Sequence, residues 1–112
     1  MAFNQYDVVK VPFPFTERNS LKKRPAVIIS TPEYQDYTGH CVLTMITTAK
    51  HSQWPTDITI ENIEEAGLPV PSIIRLKIFS LDQRLILGKL GTLHKKDVET
   101  FYETLKKYLG IK

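Results

Sequence analysis

Hydrophobic residues along this chain fall in short runs rich in Val, Ile and Thr, and these runs are separated by Pro, Gly, Asn and Asp. Such spacing is typical of the strands of a small twisted sheet or barrel. The pattern predicts five or six strands, at 7–12, 24–30, 40–47, 57–60, 72–79 and 85–91.

The last part of the chain has a helical period instead. Its apolar residues recur at spacings of three and four, which predicts an amphipathic helix. We expect this helix to begin near His94, to carry Asp97 in its positive first turn and to end at Gly110. A shorter helical turn is predicted at 62–66, stopped by Gly67. The apolar residues of the long helix are Val98, Phe101, Tyr102, Leu105, Tyr108 and Leu109.

The order of these elements predicts the fold class. Several strands followed by one long helix indicate an α+β fold that is mainly β and barrel-like, and they argue against a βαβ array. A chain of 112 residues buries enough surface for one hydrophobic core. No repeat, low-complexity tract or linker divides the sequence, so we expect a single domain over 1–112.

Composition excludes several kinds of protein. The five glycines form no phosphate-binding Gly-rich loop, which leaves no basis for a nucleotide cofactor. The one cysteine, Cys41, allows neither an internal disulfide nor a Cys-rich zinc site, and we expect it to be a small buried side chain. The three histidines have no metal-binding spacing. The apolar runs are too short to span a membrane and residues 1–10 lack a signal-peptide core, so we expect a cytoplasmic protein.

The charge of the chain is mildly basic and unevenly placed. Fifteen Lys and Arg against twelve Asp and Glu give a net charge of +3 and a pI near 9.0. The lysines near the C-terminus alternate with acidic residues and indicate a solvated helix face. A second group lies at 18–24 and suits a polyanion, and it overlaps the polar segment 14–23, which we expect to form a mobile lid between the first two strands. That group is Arg18, Lys22, Lys23 and Arg24.

Five segments together resemble a known family. They are DVVKVPFPFT at 7–16, KRPAVIIS at 23–30, ITT at 46–48, GLPVPSIIR at 67–75 and LGTL at 90–93. In order and spacing these segments resemble the MazF/PemK-like toxins and cover nearly the whole chain. The resemblance implies a CcdB/MazF-type fold, which is an SH3-like barrel with appended helices, acting as a homodimer. It also implies a ribosome-independent endoribonuclease that a small antitoxin partner holds inactive.

Arg24 and Thr47 are the first candidate catalytic residues. Arg24 stands just before a proline and a buried strand, where its guanidinium either grips a scissile phosphate or closes a loop at the surface. Thr47 and Thr48 end a strand, where they either donate hydrogen bonds into a cleft or are ordinary strand threonines. The resemblance favours the functional alternatives, since it places a functional arginine at Arg24 and a functional threonine at Thr47, with Thr48 at an adjoining RNA-binding position.

Arg75 and Lys77 are the next candidates. In an apolar strand, an arginine either reaches a pocket or covers apolar surface with its stem. The resemblance implies that Arg75 takes part in catalysis. In the PemK branch an aspartate proposed as the base stands at the position of Lys77. A lysine with its ordinary pKa near ~10.4 is protonated, so we expect Lys77 to contact phosphate and the base to lie elsewhere or cleavage to be poor.

Aromatic residues complete the candidate set. Trp54 follows the two threonines and is predicted either to stack on an RNA base or to pack against the domain. His51 is expected to be a surface or capping residue. Tyr6 stands where the family usually has glycine before Asp7, so we expect a different backbone there. Its ring either stacks on a base or, as we favour, is partly buried against the barrel.

These observations support a hypothesis and a rival. The hypothesis is a metal-independent endoribonuclease in which a positive cleft binds single-stranded RNA, an RNA 2′-hydroxyl attacks its own phosphate, and no cofactor is needed. The rival keeps the fold without the chemistry, as a CcdB-like topoisomerase poison or an RNA binder, and Lys77 is its main support. A purely structural partner protein is a third alternative.

Overall fold

The computed structural model describes residues 3–12, 22–51 and 54–111. Six strands and two α-helices lie within this part of the chain. In chain order they are β1 (Asp7–Pro12), β2 (Lys23–Ile28), α1 (Pro32–Thr38), β3 (His40–Thr48), β4 (Ile58–Ile60), β5 (Ser72–Asp82), β6 (Gly88–Thr92) and α2 (Lys95–Leu109).

The strands form one antiparallel sheet in the order β4-β5-β3-β2-β1-β6. A break in the pairing between Thr44 and Met45 and another between Val8 and Val9 interrupt the regular ladder. Such irregularities bend a strand and increase its twist, and the sheet is a half-barrel. The mainly β α+β architecture with a C-terminal helix is therefore confirmed.

Hydrophobic side chains are buried on both faces of the sheet. One core cluster includes Val8, Val27 and Ile46 and is covered by Phe101 and Leu105 of α2. The second cluster lies on the opposite face, as the alternation of side chains along each strand requires. It consists of Val9, Val11, Ala26, Ile28, Cys41, Leu43 and Phe79.

The predicted strands are largely confirmed, with corrections at their ends. β1 has the predicted bounds, whereas β3 and β5 extend beyond their predicted ends. The last strand begins at Gly88 and not at 85, because residues Gln83–Leu85 form a 3₁₀ turn that the Asp82 carboxylate caps by accepting from the Arg84 backbone N–H. The predicted helical turn at 62–66 is present as a single turn, in which the Ala66 N–H donates to the Asn62 carbonyl, and Gly67 ends it with φ +75°.

Helix α1 was not predicted from the sequence. Thr31 caps its start by accepting from the Tyr34 N–H, and Gly39 ends it in the left-handed conformation. Its buried side chain is Gln35, whose amide bonds both the N–H and the C=O of Phe3. The helix therefore fastens the start of the described chain to the sheet.

Helix α2 confirms the prediction for the last segment. His94 caps it by accepting from the Lys96 N–H, and Gly110 ends it with φ +70°. Asp97 lies in the first turn as expected, and its buried carboxylate accepts from the backbone N–H groups of Glu61 and Asn62. The carboxylate thereby ties the turn after β4 to the helix. Neither helix in the described residues is long and apolar enough to cross a membrane.

Tyr6 adopts a backbone conformation that glycine takes readily, with φ +71°. Its N–H donates to the Ile28 carbonyl and its C=O accepts from the Leu93 N–H, which holds the residue between two strands. The half-buried ring lies edge-on to Phe101, with 6.1 Å between centroids. The backbone therefore keeps a conformation suited to glycine, and packing offsets a strain on the order of 1 kcal/mol.

Cys41 is fully buried, and burial raises the pKa of its thiol to about 11 from an ordinary value of 9.0. The unfolded chain ionises first, so we expect the free energy of unfolding to fall as the pH rises from about 9 to about 11. Denaturant titrations across this range measure the effect, and Cys41→Ala should abolish this component of the pH dependence. Rapid alkylation of the native protein at pH 8 by iodoacetamide would contradict the burial.

Candidate functional site

Arg24, Thr47 and Thr48 line one cavity of about 190 Å³, called here the Arg24 cavity. The antiparallel pairing explains how they meet: Ala26 of β2 lies opposite Met45 of β3, so the start of β2 runs beside the end of β3. The structure therefore brings together two of the three predicted catalytic residues. The other lining residues are Pro25, Ile46, Leu68, Pro69, Val70 and Ser72.

The Arg24 cavity combines one cation with apolar walls. Arg24 is half-buried and Thr47 is 8% exposed, so both residues are partly shielded from water. Hydrogen bonds and charges act more strongly where water is excluded. Such a cavity suits a group that carries negative charge, such as a phosphate, on an otherwise apolar ligand.

The Thr48 hydroxyl is buried and has no hydrogen-bond partner within the described residues. Leaving a buried hydroxyl unpaired costs about 1–3 kcal/mol, so an unpaired group of this kind calls for a functional or structural explanation. Thr48 also lines a second cavity of about 230 Å³ with Ala49, Lys50, Val70 and Pro71. The exposed Lys50 there is a candidate that the sequence analysis did not identify.

Arg75 lies on the neighbouring strand, outside the residues that line the Arg24 cavity in the described part of the chain. Thr47 is opposite Ile73, and Met45 is opposite Arg75, so the arginine is two residues further along the same face. Its Nε donates to Asp57 Oδ1 at 3.1 Å and its Nη2 to Asp57 Oδ2 at 2.9 Å. Only 12% of the Arg75 side chain and 3% of the Asp57 side chain are exposed.

The ion pair with Asp57 determines the electrostatics of Arg75. Hydrogen bonds from the guanidinium to this carboxylate raise the pKa of Arg75, which therefore stays protonated at any physiological pH. The sequence pattern predicts a strand at 57–60 and does not single out the Asp57 side chain. Only the pairing of β4 with β5, with Ile58 opposite Ile74, places Asp57 beside Arg75.

Trp54 joins this group through its ring. The Arg75 Cζ lies 5.1 Å from the ring centroid and the Lys77 Nζ lies 5.9 Å from it, both within range of a cation–π contact. Trp54 remains 40% exposed. We call Trp54, Asp57, Arg75 and Lys77 the Trp54 cluster.

The remaining candidates lie near the start of β2 or outside the described residues. Lys22 and Lys23 are exposed and directly precede Arg24. Arg18 lies outside the described residues, as do most of the predicted lid at 14–23 and the side chain of His51. Within the part of the chain that the structure describes, no three His, Cys, Asp or Glu side chains are grouped to hold a metal ion.

The fold is similar to several solved structures. A MazE–MazF complex from Deinococcus radiodurans matches with a TM-score of 0.79 at 19% identity, covering 100% of both chains. An endoribonuclease in complex with its cognate antitoxin from a mycobacterial species matches with a TM-score of 0.76 at 17% identity, covering 99% of this chain and 96% of that one. The Mycobacterium tuberculosis toxin MazF-mt6 matches with a TM-score of 0.74 at 14% identity, covering 95% and 98%. At these identities the likeness shows the fold.

The sequence itself shows the family. No curated protein matches the chain. The family model of PemK-like, MazF-like toxins of type II toxin-antitoxin systems, in contrast, matches residues 4–109. Because that match spans almost all of the sequence and agrees with the half-barrel fold, this chain belongs to the PemK-like, MazF-like toxin family of type II toxin-antitoxin systems.

Proposed function

We propose that this protein is a metal-independent and ribosome-independent endoribonuclease, which cleaves single-stranded RNA and thereby inhibits growth. The observation that carries the proposal is the Arg24 cavity, where the half-buried Arg24 and two threonines meet at the ends of adjacent strands. Family membership and the similarity to an endoribonuclease crystallised with its antitoxin support it.

The chemistry needs alignment and charge stabilisation more than a strong nucleophile. The RNA 2′ oxygen attacks the adjacent phosphorus and loses its proton, the bond to the 5′ oxygen breaks, and that oxygen gains a proton. The products carry a 2′,3′-cyclic phosphate and a 5′-hydroxyl. Arg24 would bind the phosphate oxygens through its planar fork, and Thr47 would donate a hydrogen bond as charge develops.

Other residues would hold the rest of the strand. Lys22, Lys23 and Arg18 would contact phosphates on the approach to Arg24, and Thr48 would bind inside the cavity. Arg75 and Lys77 would supply positive charge beside Trp54, on which a base would stack. We retain Arg75 as a catalytic candidate because its strand runs directly beside Thr47.

The biological setting is part of the same proposal. We propose one toxin domain over 1–112, acting in the cytoplasm as a homodimer and inhibited by a cognate antitoxin. The solved relatives crystallised with MazE or with a cognate antitoxin support the partner. Co-purification with a short acidic protein would test this directly.

We expect purified protein to cut end-labelled single-stranded RNA in the presence of EDTA and to leave DNA of the same sequence intact. The reason is that DNA lacks the attacking 2′-hydroxyl. A single 2′-deoxy substitution at the mapped cleavage position should block cutting there. Cyclic-phosphate ends on the products would identify the mechanism, and cleavage of the DNA control would contradict it.

A binding module without catalysis is the second candidate function. Lys77 replaces the proposed base, and Arg75 is held by Asp57, and both observations favour binding over chemistry. The same experiment separates the two functions. Folded protein that is free of antitoxin, binds RNA and leaves it uncut would be the binding module.

A further inference from the structure

We propose that Asp57 is a positioning residue, which holds the Arg75 guanidinium and the Trp54 indole together as a platform for one RNA nucleobase. The inference rests on the proposed function, since it assigns the Trp54 cluster to the base beside a bound phosphate. It adds a residue that neither the sequence pattern nor the family resemblance indicated.

The contacts of Asp57 connect two separate parts of the chain. Its Oδ1 accepts from Arg75 Nε at 3.1 Å, and its Oδ2 accepts from Arg75 Nη2 at 2.9 Å. The same Oδ2 accepts from the backbone N–H of Trp54 at 3.2 Å, and the Asp57 N–H donates to the Trp54 carbonyl at 3.0 Å. One carboxylate therefore binds a side chain of β5 and the backbone of the segment that precedes β4.

This arrangement fixes the plane of the guanidinium relative to the indole. Two parallel hydrogen bonds define the orientation of an arginine fork, which a single contact does not. The guanidinium held in this way lies over the Trp54 ring at 5.1 Å. Because the carboxylate is only 3% exposed, water competes weakly for these bonds.

The platform has the chemistry that a stacked base requires. A substantial part of Trp54 stays exposed, which leaves ring surface for stacking. Lys77 lies two residues after Arg75 on the same face of β5, so both cations lie close to the ring and suit the phosphates next to a stacked base. Asp57 itself is occupied by hydrogen-bond donors, which suits it to orientation and not to proton transfer.

Fluorescence tests the positioning step without any activity measurement, because Trp54 is the one tryptophan of the chain. In Asp57→Asn we expect acrylamide to quench Trp54 about twofold more efficiently than in the wild type, since the ring loses its anchor. Asp57→Glu restores the charge and should recover part of the protection. The matched control is Asp82→Asn, because Asp82 forms the same two-bond contact with Arg84 on an exposed surface.

RNA binding tests the platform itself. We expect Asp57→Asn to raise the Kd for a 2′-O-methyl RNA oligonucleotide, which resists cleavage, about tenfold, the equivalent of one lost stacking contact. For cleavable RNA, KM should rise by a similar factor. Asp82→Asn should match the wild type in both assays.

A double variant covers the case in which Asp57→Asn fails to fold. Asp57→Leu combined with Arg75→Met removes both charges together, which is commonly tolerated where removing one is not. We expect this protein to fold, to bind RNA about tenfold more weakly and to show a readily quenched Trp54. If either variant bound RNA with wild-type affinity, the platform would be wrong and the proposed function would stand. A wild-type protein that binds no RNA would overturn the proposed function, and the platform with it.

Discussion

Arg24→Ala is expected to lower kcat/KM for RNA cleavage by about 10²- to 10³-fold while leaving the fold intact. The half-buried Arg24 lines the cavity that also holds Thr47, and its guanidinium would meet charge that develops on the phosphate. Removing one such donor typically costs about 3–4 kcal/mol of transition-state stabilisation. Arg24 forms no ion pair with another described residue, so the loss should fall on catalysis and not on stability.

The measurement is the initial rate of cleavage of end-labelled RNA in EDTA, with the melting temperature recorded for each variant. Arg84→Ala is the matched control, because Arg84 is 85% exposed and lies at the far end of β5 from Thr48. Arg24→Lys keeps the charge but loses the planar fork, so its cleavage rate should lie between those of the wild type and Arg24→Ala. In Thr47→Ala we expect the cleavage rate to fall about tenfold or more, in the same direction as in Arg24→Ala. An Arg24→Ala protein that cleaves within threefold of the wild type would move the catalytic site away from the Arg24 cavity.

The elements that the sequence predicted well are those defined by local chemistry. Helix α2 has the expected ends because His94 and Gly110 are capping residues beside a regular apolar period. Strand β1 has the expected bounds for a similar reason, since its run of valines and its flanking residues lie within a few positions of each other. Neither prediction depends on how distant segments pair.

Helix α1 shows where local pattern fails. Its seven residues bury one side chain, Gln35, so no apolar stripe marks the helix. The cap residues Thr31 and Gly39 were visible in the sequence, but they enclose too short a segment to suggest a helix without a period. Its one buried side chain, Gln35, bonds the backbone of Phe3, a contact between residues 32 positions apart that no local pattern shows.

The predictions for the candidate site divide in the same way between local and long-range features. The resemblance pointed to Arg24 and Thr47, and their meeting in one cavity follows from the pairing of two consecutive strands. The partner of Arg75 could not be read from the sequence, because it depends on the register between β4 and β5. A shift of one residue in that register would turn Asp57 to the opposite face.

Gly67→Ala is expected to destabilise the fold more than any other single methyl addition at a glycine of this chain. Gly67 has φ +75°, and a Cβ there would lie 2.0 Å from the backbone oxygen of Leu90. The conformation costs a non-glycine residue about 1–2 kcal/mol, and overpacking typically costs about 1–3 kcal/mol more. Their sum is a large share of the ~5–15 kcal/mol by which a domain of this kind is stable.

Alanine substitutions at three other glycines distinguish steric overlap from backbone strain as causes of the loss of stability. Gly91 has an ordinary φ, but a Cβ there would lie 2.4 Å from the Glu65 oxygen, so Gly91→Ala measures overlap alone. Gly110 has φ +70° and open space around it, so Gly110→Ala measures backbone strain alone, at about 1 kcal/mol. Gly88 has neither feature, and Gly88→Ala should lie within about 0.5 kcal/mol of the wild type. Denaturant unfolding of the four variants gives the comparison.

The close approach at Gly67 also shapes the site. The Thr92 N–H donates to the Glu65 carbonyl across the same contact, which holds the turn against β6. Leu68, Pro69 and Val70 follow directly and form a wall of the Arg24 cavity. Any Gly67→Ala protein that remains folded must move this turn away from β6, so we expect its RNA cleavage to fall together with its stability. Wild-type cleavage by a destabilised Gly67→Ala protein, measured well below its melting temperature, would show that the wall contributes nothing to catalysis.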